Sequence, residues 1–251
     1  MAAFEFIDTN VTIGRPRAPK YVIAADPLAM RSDLAEVGIT GGFVRHIWSA
    51  EWHPSHGNPE IVNALRGLSG FEPVWAVMPH WTGEFPPPDK VASDIAAHGI
   101  RAVTMFPAMQ AYPVRKSVTG PLFEMLAARR LLLFAPFPEF GLATIETVAS
   151  DFPSLNIILS DIAYTIGREL YPLLAARPNV FIETSGFMLH KGIEDAVAKL
   201  GDTRLIFGSR YPVLNPGCAV AAIMYAPISD RAKAAIASGN LKRLLAEVKS
   251  Q

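Results

Sequence analysis

Residues 131 to 161 read LLLFAPFPEFGLATIETVASDFPSLNIILSD. LLLFAPF (131–137) is a continuous apolar run of strand length, and NIILSD (156–161) is a second. Between them LATIETVASDF carries a helical pattern. Strands that are apolar throughout, without polar alternation, are covered on both faces, as in a parallel sheet overlaid by its crossover helices. The stretch therefore predicts one strand–helix–strand crossover.

The same unit repeats in both directions along the chain. Strand-length apolar runs occur at FEFID (4–8), GGFVRHIW (41–48), PVWAVMP (73–79), RAVTMF (101–106), NVFIET (179–184) and RLIFGS (204–209). Helical patterns alternate with them, the first, ADPLAMRSDLAEVG (25–38), opening on Asp-Pro and closing on Gly38. Eight such units in 251 residues predict an α/β fold, a single (β/α)8 TIM barrel spanning residues 1–251. The alternative is a doubly wound open sheet, but G-x-G-x-x-G is absent after the first strand. No linker or low-complexity stretch divides the chain.

Composition narrows the function classes. Half of the residues are hydrophobic and 18% are charged, enough apolar material for a large core. Lys plus Arg equals Asp plus Glu, at 23 each, so nothing points to nucleic acid or to an anionic membrane. The single cysteine, Cys218, cannot form an internal disulfide, which fits a reducing compartment. The N-terminus lacks the pattern of a signal peptide, and the apolar runs are too short to span a bilayer. A cytoplasmic protein with a small-molecule ligand is expected.

In a barrel, chemistry sits at the C-terminal strand ends and in the loops after them. The positions there are Asp8, Asn10 and Thr12; His46 and Trp48; His80 and Trp81; Thr104 and Phe106; Ala135 to Glu139; Asp161 and Tyr164; Glu183 and Ser185; and Arg210 and Tyr211. The eighth tip, FGSRYP, carries an arginine into its turn.

FIDTNVTIG, GIRAVTMFP, DFPSLNIILSD, NVFIETSGF and FGSRYP, with the closing IASGNLKRLL, resemble the amidohydrolase-related family of metal-dependent barrel hydrolases and decarboxylases. The resemblance covers nearly the whole chain. It implies metal ligands at I-D-x-H-x-H on the first strand, a histidine at the fifth, another at the sixth and an aspartate in F-G-S-D-Y-P at the eighth, with a lysine at the fourth in some members. In this chain the first-strand histidines fall on Asn10 and Thr12, the lysine on Thr104, and the fifth-strand histidine near Ala135 or Pro136. The sixth-strand histidine falls on Asp161 and the eighth-strand aspartate on Arg210. Family members are often dimers, which leaves a homodimer open.

A catalytic divalent site needs three or more converging nitrogen or carboxylate ligands. Asn and Thr are weak neutral ligands, and a guanidinium repels a cation. No metal and no other cofactor is therefore expected. Charge exchange between the sixth and eighth strands instead predicts an Asp161–Arg210 pair. That pair is either a structural plug in a silent site or a working one. In a working site, Arg210 would bind a substrate carboxylate or a developing oxyanion, and Asp161 would serve as base or orienting group.

His80 is the best-placed further acid or base by position. Asn10, Thr12, Trp48, Trp81, Thr104, Tyr112, Glu139, Tyr164 and Tyr211 are the candidate substrate-binding residues; Tyr112 has lid packing as its ordinary role, and Glu139 solvent exposure. Tip aromatics, among them Trp52, Phe106, Phe137, Phe140 and Phe187, suit a small cyclic ligand. His46 reads as a core or loop histidine, and His53 and His56, flanking Pro54, as members of a solvated loop. Glu183 is as readily a buried partner of a basic group as a catalytic residue. Ser185 lacks a G-x-S-x-G elbow, and Cys218 is ordinarily a small hydrophobe. Two functions remain: a metal-independent hydrolase of lactones or amides, or lyase, acting on a small carboxylated ring; and a catalytically silent relative that binds a ligand or partner.

Overall fold

The structure, a computed structural model, describes residues 4–18, 26–162, 164–187 and 190–249. Eight parallel strands run in sequence order: β1 (Phe6–Ile13), β2 (Ile39–His46), β3 (Phe71–Ala76), β4 (Ala102–Thr104), β5 (Leu132–Pro136), β6 (Asn156–Ser160), β7 (Val180–Glu183) and β8 (Leu205–Ile206). The last strand returns to the first. Thr9 N donates to Phe207 O (3.2 Å), Thr12 N donates to Tyr211 O (2.9 Å), and Val11 bridges Tyr211. The predicted barrel is the fold.

The helices between strands are α1 (Pro27–Glu36), α2 (Trp48–Glu51), α3 (Pro54–Ala64), α4 (Pro88–Ala97), α5 (Lys116–Ala128), α6 (Phe137–Asp151), α7 (Gly167–Ala176) and α8 (Gly192–Leu200). After β8 come α9 (Pro216–Met224), α10 (Asp230–Ala234), a π-helical turn at Ala235–Gly239, and α11 (Asn240–Leu245). Among the described residues no helix is long and apolar enough to cross a membrane. The Asp-Pro start of α1 behaves as read: Asp26 accepts from Leu28 N and Ala29 N, both at 2.9 Å. The segment expected to be a solvated loop around His53 and His56 is helical instead. Pro54 occupies the first turn of α3, where its missing N–H costs nothing, and His53 caps that turn by accepting from Ser55 N at 3.1 Å.

Two apolar layers build the body of the molecule. One packs helices against the outside of the sheet. The other fills the barrel with inward residues from seven strands: Phe43, Val74, Ala102, Leu132 and Phe134, Ile158, Phe181 and Ile206. Leu241, Leu244 and Leu245 of α11 join this inner cluster. Side chains alternate along a strand, so residues two further on face the same way. Four of these positions are polar, Arg45 after Phe43, Thr104 after Ala102, Ser160 after Ile158 and Glu183 after Phe181, beside Ala76 after Val74, Pro136 after Phe134 and Gly208 after Ile206. The apolar plug thus gives way, at the C-terminal strand ends, to a polar layer. The site stands there.

Candidate functional site

Asp161 follows β6 directly and Arg210 lies four residues past the end of β8, and both have left-handed backbones, with φ of 54° and 60°. For non-glycine residues this conformation costs on the order of 1 kcal/mol each and recurs at functional sites. The two turns aim the side chains at each other: Arg210 Nε lies 2.9 Å from Asp161 Oδ1. Asp161 is the more sheltered partner, with 10% of its side chain exposed against 39% for Arg210. The expected charge pair is therefore formed, with Arg210 partly open to the cleft.

Asn10 ties this pair to a buried acid. Its amide nitrogen donates to Asp161 Oδ1 (3.2 Å) and to Glu183 Oε2 (2.8 Å). Glu183 is fully buried and also accepts from Ser185 N (2.5 Å) and Ser185 Oγ (2.8 Å). Burial, reinforced by the neighbouring Asp161 charge, pushes Glu183 up to about 7, against the lowering effect of these hydrogen bonds. Gly208 makes room for it, since a Cβ there would stand 2.3 Å from Glu183 Oε1. Asp8 forms a second buried knot, accepting from Asn10 N and Ser209 N at 2.9 Å and from the Ser209 hydroxyl. Burial raises its pKa above the ordinary aspartate value, with the Ser209 hydrogen bond working against the rise.

Above this layer opens a cleft of about 640 Å³, within the span of small-molecule sites, roughly 300–1,000 Å³. Ile47, Ala50, Phe106, Pro136, Pro212 and Val213 supply apolar wall. Thr12, Arg17, Arg45 and Arg210 face it together with Glu51, Glu139 and Asp161. Glu139 is held in place: its carboxylate accepts from Ala108 N (2.9 Å) and Met109 N (3.0 Å). Glu51 likewise accepts from Arg17 N at 2.6 Å.

The structure gathers only part of the expected ligand-binding set. Thr12, Glu139, Asp161 and Arg210 line the cleft, and Asn10 lies beneath it. Thr104 is fully buried in the polar layer, its hydroxyl without a partner among the described residues. Trp48 turns its indole N–H to Arg15 O (3.1 Å) and stacks on Trp52. Trp81 is 61% exposed and donates to Val118 O (2.8 Å), with His80 against its ring. Neither His80 nor Trp81 is part of the cleft wall. Tyr112 packs on the outer apolar layer. Tyr211 points its hydroxyl away, donating to Asp33 Oδ2 of α1 at 2.6 Å, and burial together with that bond holds its pKa above the ordinary tyrosine value. The side chain of Tyr164 lies outside the described residues. Of the tip aromatics, Phe106 alone faces the cleft among the described residues, while Phe140 and Phe187 are buried in the outer layer. His46 is buried and accepts from Trp48 N at 3.3 Å, the core alternative of the core-or-loop reading.

Arg45 is one of three charged cleft residues that sequence reading passed over, with Arg17 and Glu51. Its signal was available: a charge inside the otherwise apolar run GGFVRHIW, two residues past the inward Phe43.

Among the described residues no group of three or more His, Cys, Asp or Glu side chains is arranged to hold a metal ion. A family model described as amidohydrolase matches residues 40–246. No curated protein matches the sequence. Solved structures share the fold at low identity. An uncharacterised TIM-barrel protein from Bordetella bronchiseptica is 20% identical, with a TM-score of 0.73 over 97% of this chain and 99% of that one. The 5-carboxyvanillate decarboxylase from Sphingomonas paucimobilis is 15% identical, with a TM-score of 0.70 over 97% and 99%. A probable 2-pyrone-4,6-dicarboxylic acid hydrolase from Acinetobacter baumannii, solved with citric acid bound, is 14% identical, with a TM-score of 0.72 over 96% and 99%. With most of its length matched by the family model, the chain belongs to the amidohydrolase family, of the amidohydrolase-2 type.

Proposed function

We propose that this protein is a metal-independent member of its family, hydrolysing a lactone or amide bond, or performing a lyase step, on a small carboxylated cyclic compound. The observation that carries this reading is the Arg210–Asp161 pair at 2.9 Å, bridged through Asn10 to Glu183. The residues at the family's ligand positions do not fit a divalent ion. Asn10 turns its N–H groups, not its carbonyl, toward both acids, and a guanidinium already neutralises Asp161. Arg210 supplies the fixed positive charge beside the acids instead.

In the hydrolytic reaction the Asp161 carboxylate takes a proton from water as the water oxygen adds to the carbonyl carbon. The carbonyl π electrons move onto oxygen, and the free N–H groups of Arg210 receive that oxyanion. Collapse of the adduct expels the ring oxygen or amine, which takes up the proton from Asp161. The apolar wall around Phe106 and Ile47 holds the ring and limits water.

A screen of lactones, cyclic amides and ring carboxylates tests the proposal, run with and without chelator. Chelator-insensitive turnover is expected. Asp161→Asn, which tolerates the left-handed backbone, should lower kcat by at least about 100-fold. Turnover that needs added metal would contradict the reading. A second reading, a silent relative that only binds its ligand, is favoured by the engagement of Asp161 with both Arg210 and Asn10. Binding without turnover across the screen would select it.

A further inference from the structure

Arg45 stands at the C-terminal end of β2, paired in register with Thr12 of β1, and both face the cleft. Its neighbours set up an imbalance of partners. Asp161 is taken by Arg210 and Asn10, Glu183 by Asn10 and Ser185, Glu139 by Ala108 N and Met109 N, and Glu51 by Arg17 N. Arg45 forms no ion pair and no side-chain hydrogen bond among the described residues, although it lies within the electrostatic reach of Asp161 and Glu183. Burial depresses its pKa, and those two acids oppose the effect. It stays a cation, since guanidinium does not deprotonate in proteins.

A sheltered cation with no partner is costly, and proteins keep such groups paired or give them a ligand. Arg210 is the weaker anion receptor of the two, because a carboxylate 2.9 Å from its Nε already offsets its charge. Arg45 offers its whole donor fork, which matches a carboxylate in a bidentate bond. The wall beside it is apolar, at Ile47, Ala50 and Phe106, and suits the carbon skeleton of an organic acid more than a hydrated inorganic anion.

We propose that Arg45 is the anchor for the carboxylate of the ligand, leaving Arg210 and Asp161 for the reacting bond. This assignment rests on the function proposed above and divides its labour between the two arginines. It makes Arg45 a specificity-determining residue, one that selects ring carboxylates over their neutral amides.

The test is a calorimetric titration with matched pairs: benzoate and benzamide, cyclohexanecarboxylate and its amide, and inorganic phosphate. Wild type should bind each acid roughly 10- to 100-fold more tightly than its amide, the range of a charge-assisted bond. Arg45→Met should erase that preference while amide affinity stays within about twofold, and Arg45→Lys should restore part of it as a point charge without the fork. The comparison of acid with amide in wild type needs no variant, so it holds even if Arg45→Met folds poorly. Acids bound equally by wild type and a folded Arg45→Met would overturn the anchor and leave the proposed function standing. Phosphate bound as tightly as the acids would overturn the organic-acid assignment. No binding of any ring carboxylate to wild type would sink the anchor and the carboxylated-ring reading together.

Discussion

Glu183 shows how far one buried residue governs the site. Its pKa in the folded protein is about 7, against an ordinary value of 4.5, mainly through burial. The folded state therefore keeps a proton that the unfolded chain releases, and the stability linked to this group is fully present below pH 4.5. That contribution is lost as pH rises through about 7. The Glu183→Gln variant, neutral at every pH, lacks the loss. Urea unfolding of both proteins between those pH values should show wild-type stability falling, relative to the variant, by on the order of 3 kcal/mol. An unchanging difference would mean that Glu183 titrates as an ordinary carboxyl. Gly208 answers to the same side chain. Gly208→Ala would place a methyl 2.3 Å from Glu183 Oε1, so the variant should lose about 1–3 kcal/mol, read as a lower urea midpoint.

The elements explain what the sequence disclosed and what it withheld. Strand and helix order was legible because continuous apolar runs such as LLLFAPF and NIILSD report burial on both faces. The Asp161–Arg210 pair was legible because the C-terminal ends of all the strands converge on one barrel mouth. Side-chain direction was harder to read. Tyr211 follows Arg210 directly, yet it faces Asp33 on α1 rather than the cleft. Trp48 and Trp81 spend their indole N–H groups on the Arg15 and Val118 carbonyls. These directions depend on loop paths and on distant carbonyls, which local patterns do not encode. Helix α3 is another case, with Asn58 as its fastening. The Asn58 amide donates to Ala76 O and accepts from Ala76 N, both at 2.8 Å, locking the helix to the end of β3. Asn58→Ala would leave both buried backbone groups without partners and should cost about 2–5 kcal/mol. Thermal unfolding would register this, and a loss under about 1 kcal/mol would show that water replaces the amide.

Across the whole molecule, the barrel supplies an apolar plug, a polar layer of strand tips and a cleft. Asn10 carries hydrogen bonds between two acids, and Arg210 carries the positive charge. Fixed charge of this kind is always in place and does not depend on metal supply. A divalent ion in the cleft would face Arg17, Arg45 and Arg210 as well as Glu51, Glu139 and Asp161. Under the proposed function the site works without a metal. Elemental analysis of the protein after incubation with zinc, manganese or magnesium and exhaustive dialysis tests this. Below about 0.1 equivalents of each ion per chain is expected, and about one retained equivalent, the level of a built site, would overturn the metal-independent reading.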